Sequence, residues 1–245
     1  MVVKSTVDYH VGENVFQGVL CSPENPKKAK LPAVLVLHAF YGCVEFEIEK
    51  AEKLAELGYV AFAADVYGKG KRGTNRDENL ALMRPLVEDR HGELQRRLRG
   101  AFDYVAALDN VDAQKIAAIG FCFGGLCVLD MARHQFPLKG VVTFHGTLTS
   151  LPGDEPLEKL EHLKAAICVL HGDADIHIPP TQVEGFMDEM RARKADFSVT
   201  SYGDAKHGFM MPITDTLNLP GVGYHAKTDH RAWNAMKNFL EEVLQ

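Results

Sequence analysis

The chain has no long apolar run. Its longest, such as 33–37 and 59–64, fall far short of the ~18 residues that a membrane-crossing helix needs, so no spanning segment is expected. It also has no surplus of positive charge. The 27 Lys and Arg against 33 Asp and Glu give a formal net charge of -6, and no basic run exceeds Lys27-Lys28-Ala29-Lys30. That argues against nucleic acid as a partner. Cysteine is sparse: Cys21, Cys43, Cys122, Cys127 and Cys168 are an odd, scattered set. A chain of this length can fold without cross-links, so free thiols are expected. The first eleven residues carry Lys4, Asp8 and His10 and lack both the apolar region and the small-residue cleavage site of a secretory signal. The expected location is the cytoplasm.

What is present suffices for one large core. Of the 245 residues, 46% are hydrophobic and 24% charged, a balance that places the chain among globular proteins. Alternation through Val3-Ser5-Val7-Tyr9, and again through Phe16-Gly18-Leu20, predicts an opening antiparallel hairpin that turns at Gly12-Glu13-Asn14. Beyond the polar loop 24–30, the apolar runs 33–37, 59–63, 116–119, 140–144 and 166–170 read as strands covered on both faces, and 197–202 as a last strand. Helical spacing separates them: Ile48-Ala51-Leu54-Ala55 closed by Gly58, then Leu94-Leu98-Phe102-Val105, then 126–131, Val183-Phe186-Met190 and Trp233-Met236-Leu240-Val243. Alternating strands and helices imply a mostly parallel sheet with helices on both faces, in one domain over residues 1–245. The segments 65–76 and 210–228 read as long loops after strand ends, where open sheets of this kind build binding sites.

The strongest local signal for chemistry is Gly120-Phe121-Cys122-Phe123-Gly124-Gly125, between a predicted buried strand and a predicted helix. Glycines two positions either side of a central Cys or Ser allow a strained strand-to-helix turn that lifts a nucleophile out of the sheet. The helix N-terminus then favours thiolate over thiol. Without that setting Cys122 would read as a buried small hydrophobe. Two further segments follow core strands: His171-Gly172-Asp173-Ala174-Asp175-Ile176-His177 and Gly203-Asp204-Ala205-Lys206-His207-Gly208-Phe209. The order nucleophile, acid, histidine at successive strand ends predicts a triad of Cys122, Asp175 and His207. Asp173 competes for the acid role; Asp175 lies further into the loop and can point its carboxylate back. His171, Asp173, Asp175 and His177 are also metal-ligand types at alternating positions. No second ligand cluster accompanies them, and residues beyond a strand end need not keep to one side, so neither a metal nor a cofactor is expected.

With these three motifs the sequence resembles the dienelactone hydrolase family of the α/β-hydrolase superfamily over essentially its whole length, and a cysteine in place of the commoner serine is the most discriminating feature. The resemblance implies an α/β-hydrolase fold and a hydrolase acting on small ester or lactone substrates. It also implies an oxyanion hole built from the backbone N–H groups of Phe40 and Phe123. Ala39, Tyr41, His145, Phe209 and Met211 are expected around the substrate, and His38, Cys43 and His177 fall at or just beyond predicted strand ends. Two departures stand out. Ala39 occupies the position of a glutamate that engages the thiol in dienelactone-opening members, and Met211 that of a carboxylate-binding arginine. A second such arginine could correspond to Arg76 or Arg84. A substrate shifted toward an apolar or neutral acyl group is therefore expected, acted on by a monomer or homodimer. Rival readings are a thioesterase or peptidase using the same triad, and a hydrolase-fold protein that only binds.

Overall fold

The computed structural model describes every residue except 155, 156, 158 and 159. The strands belong to one eight-stranded sheet whose order is β1-β2-β4-β3-β5-β6-β7-β8. They are β1 (Val2–Val11), β2 (Asn14–Pro23), β3 (Leu31–Leu37), β4 (Val60–Ala64), β5 (Val111–Phe121), β6 (Gly140–Phe144), β7 (Ala166–Gly172) and β8 (Phe197–Tyr202). The chain forms two compact units, Met1–Ile119 and Gly120–Gln245.

In the first unit the predicted hairpin is present. β1 pairs with β2 antiparallel and Val11 faces Asn14, so Gly12 and Glu13 make a two-residue turn. Gly12 supplies the φ of +60° that such a turn requires. β2 joins β4 antiparallel, and Gly18 gives room there, because a Cβ at that position would lie 2.5 Å from the Phe62 ring. β3 and β4 pair in parallel and are almost wholly buried, which accounts for their unbroken apolar sequence. The helices of this unit are α1 (Glu45–Glu56), α2 (Arg76–Glu88) and α3 (Glu93–Ala106).

No helix was legible in the α2 segment, and the reason is physical. Only Asn79 and Leu86 are buried along it, and Pro85 interrupts it, so there is no apolar stripe to read. The signal that could have revealed it is polar: the Asn75 side chain caps the helix by accepting the Glu78 N–H at 3.0 Å. β5 begins five residues before the predicted strand, through the polar stretch 112–115.

The second unit continues the parallel arrangement, with β6 beside β7 and β7 beside β8. Its helices are α4 (Phe123–Arg133), α5 (Pro180–Ala192) and α6 (Ala226–Val243). The expected loop 210–228 is shorter than predicted, because Pro212–Thr216 forms a 3-10 turn and α6 starts at Ala226.

A buried ionic cluster ties α4 to α5. Arg133 grips Glu189 with Nε at 2.9 Å and Nη2 at 2.7 Å and reaches Asp130 at 3.1 Å, while Arg193 Nε reaches Glu189 at 2.8 Å and its Nη2 pairs with Asp154. Burial alone would raise the Glu189 pKa, but the two guanidinium groups overcome it and hold the carboxyl below its ordinary value. Such a group stabilises the fold above its unfolded-state pKa, and the contribution disappears as pH falls through the lowered folded value. Glu189→Ala, which removes the carboxylate shared by two buried guanidinium groups, should cost about 3–5 kcal/mol in urea unfolding at pH 7. The difference from the parent should narrow as the pH is taken down through the range in which Glu189 protonates.

Candidate active site

β5 ends at Phe121 and α4 begins at Phe123, so Cys122 alone makes the turn. Its backbone sits at φ 52°, ψ -111°, a conformation costly for a residue with a side chain. The glycines make it feasible. A Cβ on Gly120 would lie 2.0 Å from the Gly124 carbonyl oxygen, and one on Gly125 would lie 2.4 Å from Thr143 Oγ1. The Cys122 N–H donates to the Phe144 carbonyl at 3.1 Å, which pins the turn to the end of β6. Phe123 opens α4, where the leading N–H groups point away from the body of the helix.

Cys122, Asp175 and His207, 32 to 85 residues apart in sequence, meet within the second unit. His207 Nε2 lies 3.2 Å from Cys122 Sγ, and His207 Nδ1 lies 2.8 Å from Asp175 Oδ2. The other carboxylate oxygen, Asp175 Oδ1, accepts the N–H groups of His177 at 2.9 Å and Ile178 at 3.2 Å, so the acid loop folds around its own side chain. Asp173 faces elsewhere and accepts from Ser201 Oγ at 3.2 Å. The His207 loop is fixed through its backbone, whose N–H donates to the Gly221 carbonyl and whose carbonyl accepts from Gly223. Burial pushes the His207 pKa down, but the charge on the Cys122 sulfur and the hydrogen bonds to Asp175 and Cys122 reverse this and raise it to about 10. The raised value favours the imidazolium form of the His207 ring.

Aromatic rings flank the histidine. The His145 ring stands edge-on to His207 at 5.3 Å and to Phe209 at 5.1 Å, and His177 stands edge-on to His207 at 5.6 Å. His145 also takes a positive φ of 41° at the end of β6. Phe209 and Met211 are buried. The same loop bounds an open cavity of about 420 Å³ lined in part by Lys206, Thr214, Asp215, Tyr224 and His225, and none of Cys122, Asp175 and His207 lines it.

The first unit holds Ala39, Phe40 and Tyr41 in the turn after β3. Tyr67 Oη donates to the Phe40 carbonyl at 2.9 Å, and the Phe40 and Tyr41 rings touch at 4.1 Å. Ala39 is buried, and its N–H donates at 3.1 Å to Glu47, a buried acid on α1 that the sequence reading did not single out. Burial pushes the Cys43 thiol up, and its Sγ donates to the Ala63 carbonyl. His38 is buried, while Arg76 and Arg84 are exposed positions of α2. Among the described residues no group of three or more His, Cys, Asp or Glu stands ready to hold a metal ion. No helix among them is long and apolar enough to cross a membrane.

Comparison with known proteins settles the lineage. Residues 16–244 match the dienelactone hydrolase family. The chain belongs to that family. Among relatives, an uncharacterised Caenorhabditis elegans protein is 44% identical over 159 residues, covering 64% of this chain and 99% of the relative. A Yersinia pestis protein provisionally named carboxymethylenebutenolidase is 27% identical, with 86% and 78% covered. The solved structure of a dienelactone hydrolase-like promiscuous phosphotriesterase from metagenomic libraries superposes with a TM-score of 0.91 at 33% identity, covering 100% of this chain and 99% of that one. The chain has a mostly parallel sheet that opens with the antiparallel hairpin of β1 and β2.

Cys122→Ser replaces an ionisable sulfur with a neutral hydroxyl and should let the His207 pKa fall from about 10 back toward the ordinary histidine range. Titration followed by ring-nitrogen NMR reads this directly. An unchanged value would mean that the sulfur carries no charge next to the imidazole.

Proposed function

We propose that this member of the dienelactone hydrolase family is a cysteine hydrolase of carboxylic esters or lactones, acting as one α/β-hydrolase domain. The observation that carries the reading is the continuous chain of contacts from Asp175 through His207 to Cys122, at 2.8 and 3.2 Å. In the first half-reaction the Cys122 thiolate attacks the carbonyl carbon and the π electrons move to oxygen. The N–H group of Phe123, at the start of α4, receives that oxyanion, such a donor typically being worth ~3 kcal/mol. As the carbonyl reforms, the C–O bond to the alkoxide breaks and His207 Nε2 gives the leaving oxygen its proton. The enzyme is then a thioester. His207, now neutral and oriented by Asp175, takes a proton from water as it attacks the thioester carbon. Collapse releases the acid and restores thiolate and imidazolium.

The substrate is read from what surrounds the triad. With Met211 where an arginine would hold a substrate carboxylate, the acyl group is neutral or apolar rather than anionic. Phosphotriester hydrolysis is a second reading, favoured by the 33% identity to the metagenomic phosphotriesterase.

Purified protein should hydrolyse short p-nitrophenyl esters, and Cys122→Ala should lower kcat about a thousand-fold or more. A quenched reaction should add the acyl mass to the peptide holding Cys122. Turnover that persists in the alanine variant would exclude the cysteine mechanism. Faster turnover of a neutral phosphotriester than of any ester or lactone would favour the second reading.

A further inference from the structure

The stretch Asp175-Ile176-His177-Ile178-Pro179 runs from the acid that contacts His207 to the residue before α5. It is locked rather than loose. The Asp175 carboxylate accepts the N–H groups of His177 and Ile178, the Asp175 carbonyl accepts that of Ile178 at 3.3 Å, and Pro179 fixes its own φ at -67°. Held in this way, the two isoleucines part company. Ile178 is buried, whereas Ile176 keeps 63% of its surface open to solvent, with His177 exposed beside it.

Both exposed side chains rest on the segment that carries His207. A Cβ on Gly221 would lie 2.3 Å from Ile176 Cγ1, so the isoleucine is laid against the Gly221 backbone. The Gly221 carbonyl in turn accepts the His207 N–H at 2.9 Å. His177 sets its ring edge-on to the His207 ring at 5.6 Å. Single apolar side chains on a surface are ordinary. One that is held rigidly against the partner of the triad histidine, next to an aromatic ring on that histidine, is a surface on which a substrate can bury apolar area.

Position decides which half of the substrate meets that surface. To take its proton the leaving oxygen has to come within hydrogen-bond reach of His207 Nε2, so the alcohol half of an ester departs alongside the His207 ring. Of the two rings against His207, His145 is buried and packed on Phe209, and His177 is exposed. An alcohol chain that extends toward solvent therefore passes His177 and Ile176. We infer that Ile176 and His177 form the subsite for the leaving alcohol, and that the preferred substrates are esters whose alcohol part is apolar and several carbons long. This rests on the ester-hydrolase reading and puts selectivity in the alcohol. The subsite serves acylation alone: as the acyl carbon–oxygen bond breaks, the alcohol carries off the His207 proton, and the thioester left behind has no alcohol for Ile176 and His177 to hold.

The experiment uses the ethyl, butyl and phenylpropyl esters of acetic acid with the full-length protein; they share one acyl group and differ little in the acidity of the alcohol. In the parent, kcat/KM should rise across the series by about ten-fold or more. In the double variant Ile176→Ser, His177→Ala the rise should shrink to about two-fold or less, while the acetyl-Cys122 thioester should be hydrolysed at the parent rate. A flat series in the parent, or a rise that survives in the double variant, overturns the inference. So does an equal slowing of all three esters together with thioester hydrolysis, which would mean that the changes only displace His207. If the double variant does not fold, Ile176→Ala, a single change at an exposed position, takes its place: a rise as steep as the parent's overturns the inference. These outcomes leave hydrolysis by Cys122 standing, whereas a parent protein without Cys122-dependent turnover removes both.

Discussion

One backbone conformation organises the second unit. Cys122 turns the chain at φ 52° in a single residue between β5 and α4, and the turn is possible only because Gly120 and Gly125 leave no side chain where the Gly124 carbonyl and Thr143 must pass. The strain has a use. It puts the sulfur at the tip of the corner, at a helix N-terminus, within reach of a histidine on the loop after β8. If the glycines were larger, the corner would open, and sulfur, imidazole and carboxylate would lose their common meeting point.

Much of this was readable in the amino-acid sequence, for definable reasons. The buried strands announce themselves because both faces of a parallel sheet are covered, leaving uninterrupted runs such as 33–37 and 166–170. Asp175 was preferred to Asp173 because it lies further from the strand, where the loop can turn its carboxylate back; Asp175 contacts His207, while Asp173 pairs with Ser201. What stayed hidden was polar. α2 has no apolar stripe, and its start is written only in Asn75 and Glu78. Glu47 looked like one more acid in the run Glu45-Phe46-Glu47, because a sequence does not reveal which of several alternating charges turns inward. The salt cluster of Arg133, Glu189 and Arg193 was invisible for a related reason, since Arg133 reaches Glu189 from a different helix.

Buried charge serves two different ends in this chain. Glu189 is compensated by two guanidinium groups and stays ionised, so it braces α4 and α5. Glu47 is compensated chiefly by backbone N–H groups, which are weaker partners than full cations, and its pKa rises instead. Similar burial yields a permanent ion in one case and a group poised near neutrality in the other; what distinguishes them is the charge of the neighbours.

The rims of the sheet bear on how copies of the molecule meet. β1 and β8 are its outermost strands, and each would offer a row of unpaired amides to a foreign strand. β1 is lined by Lys4, Asp8 and His10, with Lys4 bound to Glu52 and Asp8 to Lys69, and β8 is rich in Ser and Thr. A strand arriving at β1 would have to displace those ion pairs to zip on. Such decoration works against amyloid-like stacking, because extending the sheet would break polar contacts already satisfied.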